Sequence, residues 1–332
     1  MKKKILSVTA ILFVSFLIFL ALDFLFAYKI HILRIDFLNS LYVNSASDKT
    51  DKYSLKNLPF KYNLFTEDFE TVYRKKIKNK EIKIYGAPSD KKPILLFGCS
   101  FADGARLQDK DSFGYLLSEY TDRNVYRLSY GGMGAAPALF QASDDSLYNY
   151  IAENTQTPEY AVYVYITYQL YRIFEDKYCY SDFYHHQIIY NQKNGKLVYS
   201  RYSPIALISR FASGKYILRK YCEKNIENDT DYLNSVMKRY FLQTRYELQK
   251  RYPDIKFIIV KYPVYDENTQ YQEKIYNSEI WKELEKDGFL IYDLKKEINA
   301  DLTQNEYILS DRHPSPKAWQ IITPKFVHDC IL

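Results

Sequence analysis

The chain has 332 residues, of which 47% are hydrophobic and 26% are charged. This is the composition of a globular protein, long enough to bury a sizeable core in one large or two modest domains. The net charge of +6 comes from lysines spread along the sequence, and no segment interleaves basic and aromatic residues as a nucleic-acid-binding module does, so the composition argues against a nucleic-acid partner.

The N-terminal segment, residues 1–28, predicts a membrane anchor. Three lysines, Lys2, Lys3 and Lys4, precede the apolar stretch Ile5–Tyr28, in which Asp23 is the one charged residue. About 20 apolar residues span a bilayer, so the stretch is long enough to cross it. It is also longer than the apolar region of a cleaved signal peptide, and no small-residue cleavage site follows closely. We therefore expect a single-pass transmembrane helix with a cytoplasmic tip, which places the rest of the chain on the extracytoplasmic side of a bacterial cell membrane.

Residues 29–92 are mixed in composition and are interpreted as a stem or peripheral segment that packs on the main domain. Their densest basic run is Arg74–Lys83. This run is either a solvated face or a surface that contacts anionic lipid or polysaccharide.

The cysteines indicate neither a metal site nor a disulfide framework. The chain has four of them, Cys99, Cys179, Cys222 and Cys330. Their spacing matches no zinc-binding pattern, and we expect no metal and no cofactor. An extracytoplasmic location permits disulfides and Cys179–Cys222 is the most compatible pair, but unpaired thiols remain the default interpretation.

From residue 93 to residue 332, strand-like and helix-like segments alternate, which predicts an α/β domain. Alternation of this kind favours a mostly parallel sheet covered by helices on both faces, a three-layer α/β/α sandwich. The five predicted strands are Ile94–Phe97, Val125–Leu128, Tyr160–Ile166, Ile255–Val260 and Phe289–Tyr292. The predicted helices are Ser112–Tyr120, Ala135–Ala152, Tyr232–Arg251, Gln272–Asp287 and a final one from Pro316 toward Val327. The alternation breaks at about residues 173–231, an expected insertion that contains a hairpin, Ile188–Tyr199.

Two short motifs at opposite ends of this domain indicate nucleophilic chemistry. Ser100 follows the first strand on a turn that Gly98 permits, at the sheet edge where α/β proteins form their sites. A serine hydroxyl needs an adjacent base to become a nucleophile, and His313 is the best candidate among five histidines. Asp311, two residues before His313, is the expected acid that orients the imidazole.

These motifs resemble those of the SGNH (GDSL-like) hydrolase superfamily. Gly98-Cys99-Ser100-Phe101 is similar to the Gly-Asp-Ser motif of that family, and the segment from Asp311 to His313 is similar to its Asp-x-x-His block. The resemblance covers residues 93–332 apart from the insertion. It implies a flavodoxin-like fold with a five-stranded sheet and a Ser-His-Asp acyl-enzyme mechanism.

The same resemblance suggests donors for an oxyanion hole. The Ser100 N–H is one expected donor. Val125–Gly134 looks like the family's glycine-bearing second block, in which Gly132 is the best match for a backbone donor, with Gly131 and Gly134 close behind. The third block should carry an asparagine, but the segment after the third strand contains Gln169 instead, either an equivalent amide donor or a surface polar residue.

Three departures from the family pattern set open questions. Cys99 stands where the family has an aspartate, a position that is not the nucleophile. The third-block asparagine is missing, which questions the oxyanion hole. The spacing between Asp311 and His313 is one residue shorter than the common pattern, so Asp293, at the end of the last predicted strand, is an alternative orienting acid.

The resulting hypothesis is a membrane-anchored extracytoplasmic serine esterase or O-acyltransferase. Its expected substrate is an acylated cell-surface glycan or a small ester, and the acyl group is expected to be acetyl. One alternative is a catalytically impaired glycan-binding or scaffold protein of envelope biosynthesis on the same fold, and another is a lipase or thioesterase.

Overall fold

The structure is a computed structural model, and its described residues are 11–19, 72–77, 80–87, 89–129, 131, 134–154, 156–172, 174–175, 178–179, 189–193, 196–200, 230–263 and 269–332. Residues 11–19 form helix α1, whose side chains are exposed. The remainder of the predicted anchor Ile5–Tyr28 lies outside the described residues. Within the described part of the chain, no helix is both long and apolar enough to cross a membrane.

The centre of the fold is a seven-stranded sheet. Its strands are β1 (Val72–Ile77), β2 (Lys80–Tyr85), β3 (Ile94–Gly98), β4 (Val125–Arg127), β5 (Tyr160–Tyr165), β10 (Lys256–Lys261) and β11 (Leu290–Asp293). The spatial order is β1-β2-β4-β3-β5-β10-β11, and the strands from β4 to β11 are mutually parallel. Taken alone, these parallel strands have the order 2-1-3-4-5, which is the flavodoxin-like arrangement.

The prediction of five strands was too low, because the supposed stem contributes two more. Strand β1 pairs with β2 and β2 pairs with β4, both antiparallel, so the sheet begins well before residue 93. In β2, Ile82 and Ile84 alternate with polar residues and pack into the hydrophobic core on one face. The dense lysines of this segment conceal that alternation in the sequence.

Helices cover both faces of the sheet. They are α2 (Ser100–Asp103), α3 (Phe113–Thr121), α4 (Ala135–Ala142), α5 (Asp145–Asn154), α6 (Thr230–Gln249), α7 (Thr269–Tyr276), α8 (Ile280–Lys286), α9 (Leu294–Glu297) and α10 (Pro316–Cys330). The predicted helices Ala135–Ala152 and Gln272–Asp287 are each divided in two. The first break is at Ser143, whose hydroxyl donates to the Leu139 carbonyl and ends α4.

The alternating side chains of the buried strands form a separate core on each face. On one face, residues such as Phe97 and Tyr163 pack with α4, α6 and α8. On the other, Leu96 and Val164 pack with α3 and α10. This is the predicted three-layer α/β/α sandwich, and it brings the carboxyl ends of the parallel strands to one edge of the sheet.

The described parts of the predicted insertion are two small antiparallel pairs. One joins β6 (Phe174–Glu175) to β7 (Tyr178–Cys179), and the other joins β8 (Ile189–Lys193) to β9 (Lys196–Ser200). The second pair confirms the predicted hairpin. The rest of the insertion lies outside the described residues.

The cysteine predictions are tested in part. Cys99 and Cys330 are free thiols, and Cys99 is buried. Cys222 lies outside the described residues and the side chain of Cys179 is not among those described, so a Cys179–Cys222 disulfide stays a prediction.

Candidate active site

The turn that follows β3 positions Ser100. The last residue of β3, Gly98, has φ +139°, and a Cβ at this position would lie 2.9 Å from the Val164 carbonyl oxygen. Only glycine fits there without strain, because the left-handed backbone and the approach of the neighbouring strand both exclude a side chain. Cys99 then adopts an extended conformation, and Ser100 begins the single-turn helix α2. The serine therefore leaves the sheet at its carboxyl edge, as the sequence predicted.

A tight hairpin positions His313 from the other end of the domain. The Leu309 N–H donates to the His313 carbonyl at 2.8 Å, and Ile308 forms a bridge with Pro314. Ser315 then caps α10 by accepting from the Ala318 N–H at 3.3 Å. The histidine thus lies in a hairpin that the Ile308–Pro314 bridge closes, directly before the start of a long helix.

These two elements bring Ser100 and His313 into hydrogen-bonding contact. The Ser100 Oγ is 2.8 Å from His313 Nε2, which is the geometry required for a general base to take the proton of a nucleophile. The two residues are separated by 213 positions in the chain, so the contact is produced by the fold alone.

Asp311 is the acid that the structure places beside His313. Its Oδ1 lies 3.1 Å from His313 Nδ1. The same oxygen accepts from the His313 backbone N–H at 3.3 Å. Nδ1 has no hydrogen-bond partner among the described residues, so its contact with Asp311 is an ion pair without a well-formed hydrogen bond. Catalytic hydrogen bonds often have this loose geometry before substrate binds.

The electrostatic environment keeps Asp311 ionised. Its partial burial opposes ionisation, but the neighbouring His313 imidazole, the hydrogen bond from the His313 backbone N–H and the Arg106 guanidinium outweigh this effect, and the pKa of Asp311 is lowered. An ionised carboxylate next to Nδ1 stabilises the imidazolium that forms when His313 accepts a proton.

An aromatic wall borders the imidazole. The Phe101 ring is 5.4 Å from the His313 ring and 5.1 Å from the Tyr262 ring, centroid to centroid. Phe101 and Tyr262 are both buried. Since Phe101 directly follows Ser100, α2 carries both the serine and part of the surface against which the His313 ring packs.

The loop after β4 approaches Ser100, as expected of a second block. A Cβ on Gly131 would lie 4.0 Å from the Ser100 Cβ, so the backbone at Gly131 passes close to Ser100. The best sequence match for the donor, Gly132, lies outside the described residues. The oxyanion role of this loop and of the Ser100 N–H stays a prediction.

Gln169 is in neither of the two environments that the sequence suggested, an oxyanion hole or the protein surface. The side chain is fully buried, so it is not a surface residue. Its Nε2 donates to the Val164 carbonyl at 3.0 Å, and its Oε1 accepts from the Tyr163 hydroxyl at 2.9 Å. Because both ends of the amide bind the end of β5, Gln169 is engaged in supporting the strand, and we no longer assign it to the oxyanion hole.

Asp293, the alternative orienting acid, belongs to a separate buried cluster. It accepts from the Lys261 ammonium at 2.9 Å and from the Tyr276 hydroxyl at 2.5 Å, and it caps α9 through the Lys295 N–H at 3.1 Å. These partners hold the pKa of Asp293 below its usual value although burial opposes this. Asp293 therefore has its partners without His313, and of these two acids Asp311 is the one that lies beside His313.

The sequence analysis missed the charged residues around the segment that follows Ser100. Arg106 Nε lies 3.1 Å from Asp311 Oδ2. Asp103, at the end of α2, is buried against Arg127 of β4. Nothing in the sequence around Arg106 indicates a contact with Asp311. Arg127, at the end of a buried strand, could have suggested a buried acidic partner, because arginine is rarely buried unpaired. Among the described residues, no group of three or more His, Cys, Asp or Glu side chains could hold a metal ion.

No family model matches the chain, and neither does any curated protein. Several solved structures are similar to it at low identity. A member of the lipolytic protein G-D-S-L family from Veillonella parvula has a TM-score of 0.42 and 8% identity, over 72% of this chain and 97% of that chain. A carbohydrate esterase family 2 enzyme from Corynascus thermopiles (Myceliophthora fergusii) has a TM-score of 0.43 and 12% identity, over 73% and 67%. A family two carbohydrate esterase from Clostridium thermocellum in complex with cellohexaose has a TM-score of 0.41 and 9% identity, over 74% and 66%.

Proposed function

We propose that the protein is a serine esterase of the SGNH type in which Ser100 is the nucleophile, His313 the general base and Asp311 the orienting acid. The observation that carries this proposal is the 2.8 Å contact between Ser100 Oγ and His313 Nε2, at the carboxyl edge of a flavodoxin-like sheet. The carboxylate of Asp311, 3.1 Å from the other ring nitrogen, completes the set.

The reaction has two steps that share these groups. Ser100 Oγ attacks the carbonyl carbon of the ester while His313 Nε2 takes the hydroxyl proton, and the same nitrogen then gives that proton to the departing alkoxide. An acyl-serine and a free alcohol result. A water molecule, deprotonated by His313 Nε2, attacks the acyl-serine, and the same nitrogen returns the proton to the departing Ser100 Oγ, which releases the carboxylic acid and restores the serine. A glycan hydroxyl in place of water would complete an acyl transfer by the same proton movements.

Negative charge on the carbonyl oxygen must be stabilised in both steps. The proposed donors are the Ser100 N–H and the backbone of the loop that contains Gly131 and Gly132. A donor of this kind contributes about 3 kcal/mol to transition-state stabilisation. With Gln169 engaged elsewhere, an oxyanion hole built from backbone groups is the arrangement that the site supports best.

The proposed substrate is the O-acetyl group of a cell-surface glycan, and the proposed location is the extracytoplasmic face of a bacterial membrane. The observation that supports this location is the apolar segment Ile5–Tyr28, which follows three lysines and has the composition of a signal anchor. The choice of an acetylated glycan follows from the resemblance of the Ser100 and His313 motifs to those of SGNH hydrolases.

The test is hydrolysis of p-nitrophenyl acetate by the wild-type protein and by the Ser100→Ala variant. We expect the wild type to turn over the ester and the variant to lose at least about 1,000-fold in kcat, because the residual rate then comes from binding groups alone. Equal turnover by the two proteins would refute the mechanism. A series of p-nitrophenyl esters with longer acyl chains tests the substrate class, since a lipase or thioesterase would prefer the longer chains.

A further inference from the structure

The acid of the proposed triad lies on an exposed loop and is held from two sides. The Asp311 side chain is one-third exposed, and its Oδ1 contacts both Nδ1 and the backbone N–H of His313. Its Oδ2 contacts the Nε of Arg106 at 3.1 Å. The two contacts together fix the rotation of the carboxylate about its Cβ–Cγ bond. Without the second contact the carboxylate could turn toward solvent, and its alignment with His313, which is already loose, would weaken further.

Arg106 is presented to Asp311 by a strained turn. The helix α2 ends at Gly104, where the Ala105 N–H donates to the Ser100 carbonyl at 3.0 Å. Arg106 then adopts φ +70°, the left-handed region that residues other than glycine rarely occupy. Such a conformation costs about 1 kcal/mol or more and persists only where the surrounding structure imposes it. The residue that faces it, Asp311, is followed by Arg312 at φ +67°.

Two buried ion pairs impose this turn by fixing its ends. At one end, Asp103 Oδ1 lies 2.9 Å from Arg127 Nη1, and both side chains are at least nine-tenths buried. At the other end, Asp109 pairs with Lys83, which is 4% exposed. Lys83 and Arg127 are direct cross-strand partners on β2 and β4. Two cations in that position repel each other unless acids neutralise them, and the acids here come from the two ends of the Arg106 turn.

We propose that Arg106 is a positioning residue, which holds the Asp311 carboxylate in line with His313, and that the buried pairs Asp103–Arg127 and Asp109–Lys83 clamp the turn that presents it. This rests on the proposed esterase function. An isolated ion pair with one exposed partner would contribute little. Arg106 differs because its backbone is strained, its turn is clamped at both ends, and its partner is the acid of the triad.

The test is a double-mutant cycle measured with p-nitrophenyl acetate. We expect Arg106→Gln to lower kcat about fivefold while KM changes less than about twofold, since the side chain acts on the base and not on the substrate. Arg106→Lys, which keeps a charged donor, should recover at least half of the lost activity. In the Asp311→Asn background, Arg106→Gln should have no further effect, because the group through which it acts is gone.

The control is Lys282→Gln, which removes a charge from an exposed ion pair with Glu279 on α8 and should leave kcat unchanged. The inference is overturned if Arg106→Gln has the wild-type kcat, or if Arg106→Gln lowers kcat as much in the Asp311→Asn background as in the wild type. In either case the esterase proposal still stands as long as hydrolysis depends on Ser100. If hydrolysis does not depend on Ser100, the esterase proposal fails. The positioning role of Arg106 is then tested by the NMR chemical shifts of the His313 ring. Arg106→Gln should change these shifts in the wild-type protein and leave them unchanged in the Asp311→Asn variant; any other pattern overturns the inference.

Discussion

Replacing Arg127 with methionine tests the buried ion pair between Arg127 and Asp103, which lies at the end of α2. Arg127 and Asp103 are 8% and 10% exposed in their side chains, so the substitution leaves the Asp103 carboxylate without this partner in a largely buried site. Breaking a buried ion pair at one partner costs about 3–5 kcal/mol, a large part of the stability of an ordinary domain. Urea unfolding followed by circular dichroism measures this loss directly.

The loss should depend on pH in a defined direction. Burial raises the pKa of Asp103 above its ordinary value of 3.8, while Arg127 and Lys83 oppose that rise. Because the pKa of Asp103 is higher in the folded protein than in the unfolded chain, its contribution to stability is fully present below pH 3.8 and is lost as the pH rises through the pKa of the folded protein. Removal of Arg127 moves the folded pKa of Asp103 further up. The penalty of Arg127→Met should therefore be larger at a pH of about 8 than at a pH of about 5.

The matched control neutralises the acid as well. Asp103→Asn combined with Arg127→Met leaves no buried charge unpaired at this position, so the double variant should be more stable than Arg127→Met alone. A loss below about 1 kcal/mol for Arg127→Met, or a loss that is the same at both pH values, would contradict the description of this pair as buried and electrostatically coupled.

Three further outcomes are expected. Gly98→Ala should destabilise the protein by about 2 kcal/mol or more in urea unfolding because of its left-handed backbone and the adjacent strand, whereas Gly131→Ala, which has room for a Cβ, should unfold as the wild type does. Gln169→Ala should cost about 1–3 kcal/mol of unfolding free energy, since it leaves a buried carbonyl without its donor, and a wild-type urea midpoint would contradict the supporting role. Asp311→Asn should lower kcat for p-nitrophenyl acetate and retain the wild-type melting temperature. Asp293→Asn should instead lower the melting temperature, because the buried Lys261 loses its charged partner. The reverse pattern would exchange the roles of the two acids.

Local patterns in the sequence were sufficient to predict the parallel strands and the two ends of the site. Ile94–Phe97 and Tyr160–Ile166 are apolar because both faces of their strands are buried, and this signal survives without any knowledge of the fold. Ser100 could be placed at the sheet edge from the turn after its strand, and His313 was paired with it as the best of five histidines, in a segment that resembles the C-terminal block of SGNH hydrolases. The insertion hairpin was equally local, with a turn signal between two alternating runs.

Features that depend on contacts between distant segments could not be predicted in this way. Strand β2 alternates apolar and polar residues as a strand should, but its lysines are typical of a solvent-exposed segment. The structure instead buries Lys83 against Asp109. Gln169 was placed by its spacing after β5, whereas hydrogen bonds to the end of that strand decide its orientation. The role of Arg106 depends on Asp311, which is 205 positions away in the chain. In each case a tertiary contact determines what the side chain does.

The most direct test of the central claim is covalent labelling of the nucleophile. The protein is treated with a fluorophosphonate, which phosphonylates activated serines, and the modified peptide is identified by mass spectrometry. We predict a single adduct on Ser100, with the labelling rate reduced about 100-fold or more in His313→Ala because the base that activates the hydroxyl is absent. The absence of an adduct on Ser100, or labelling at the same rate in His313→Ala, would contradict the account.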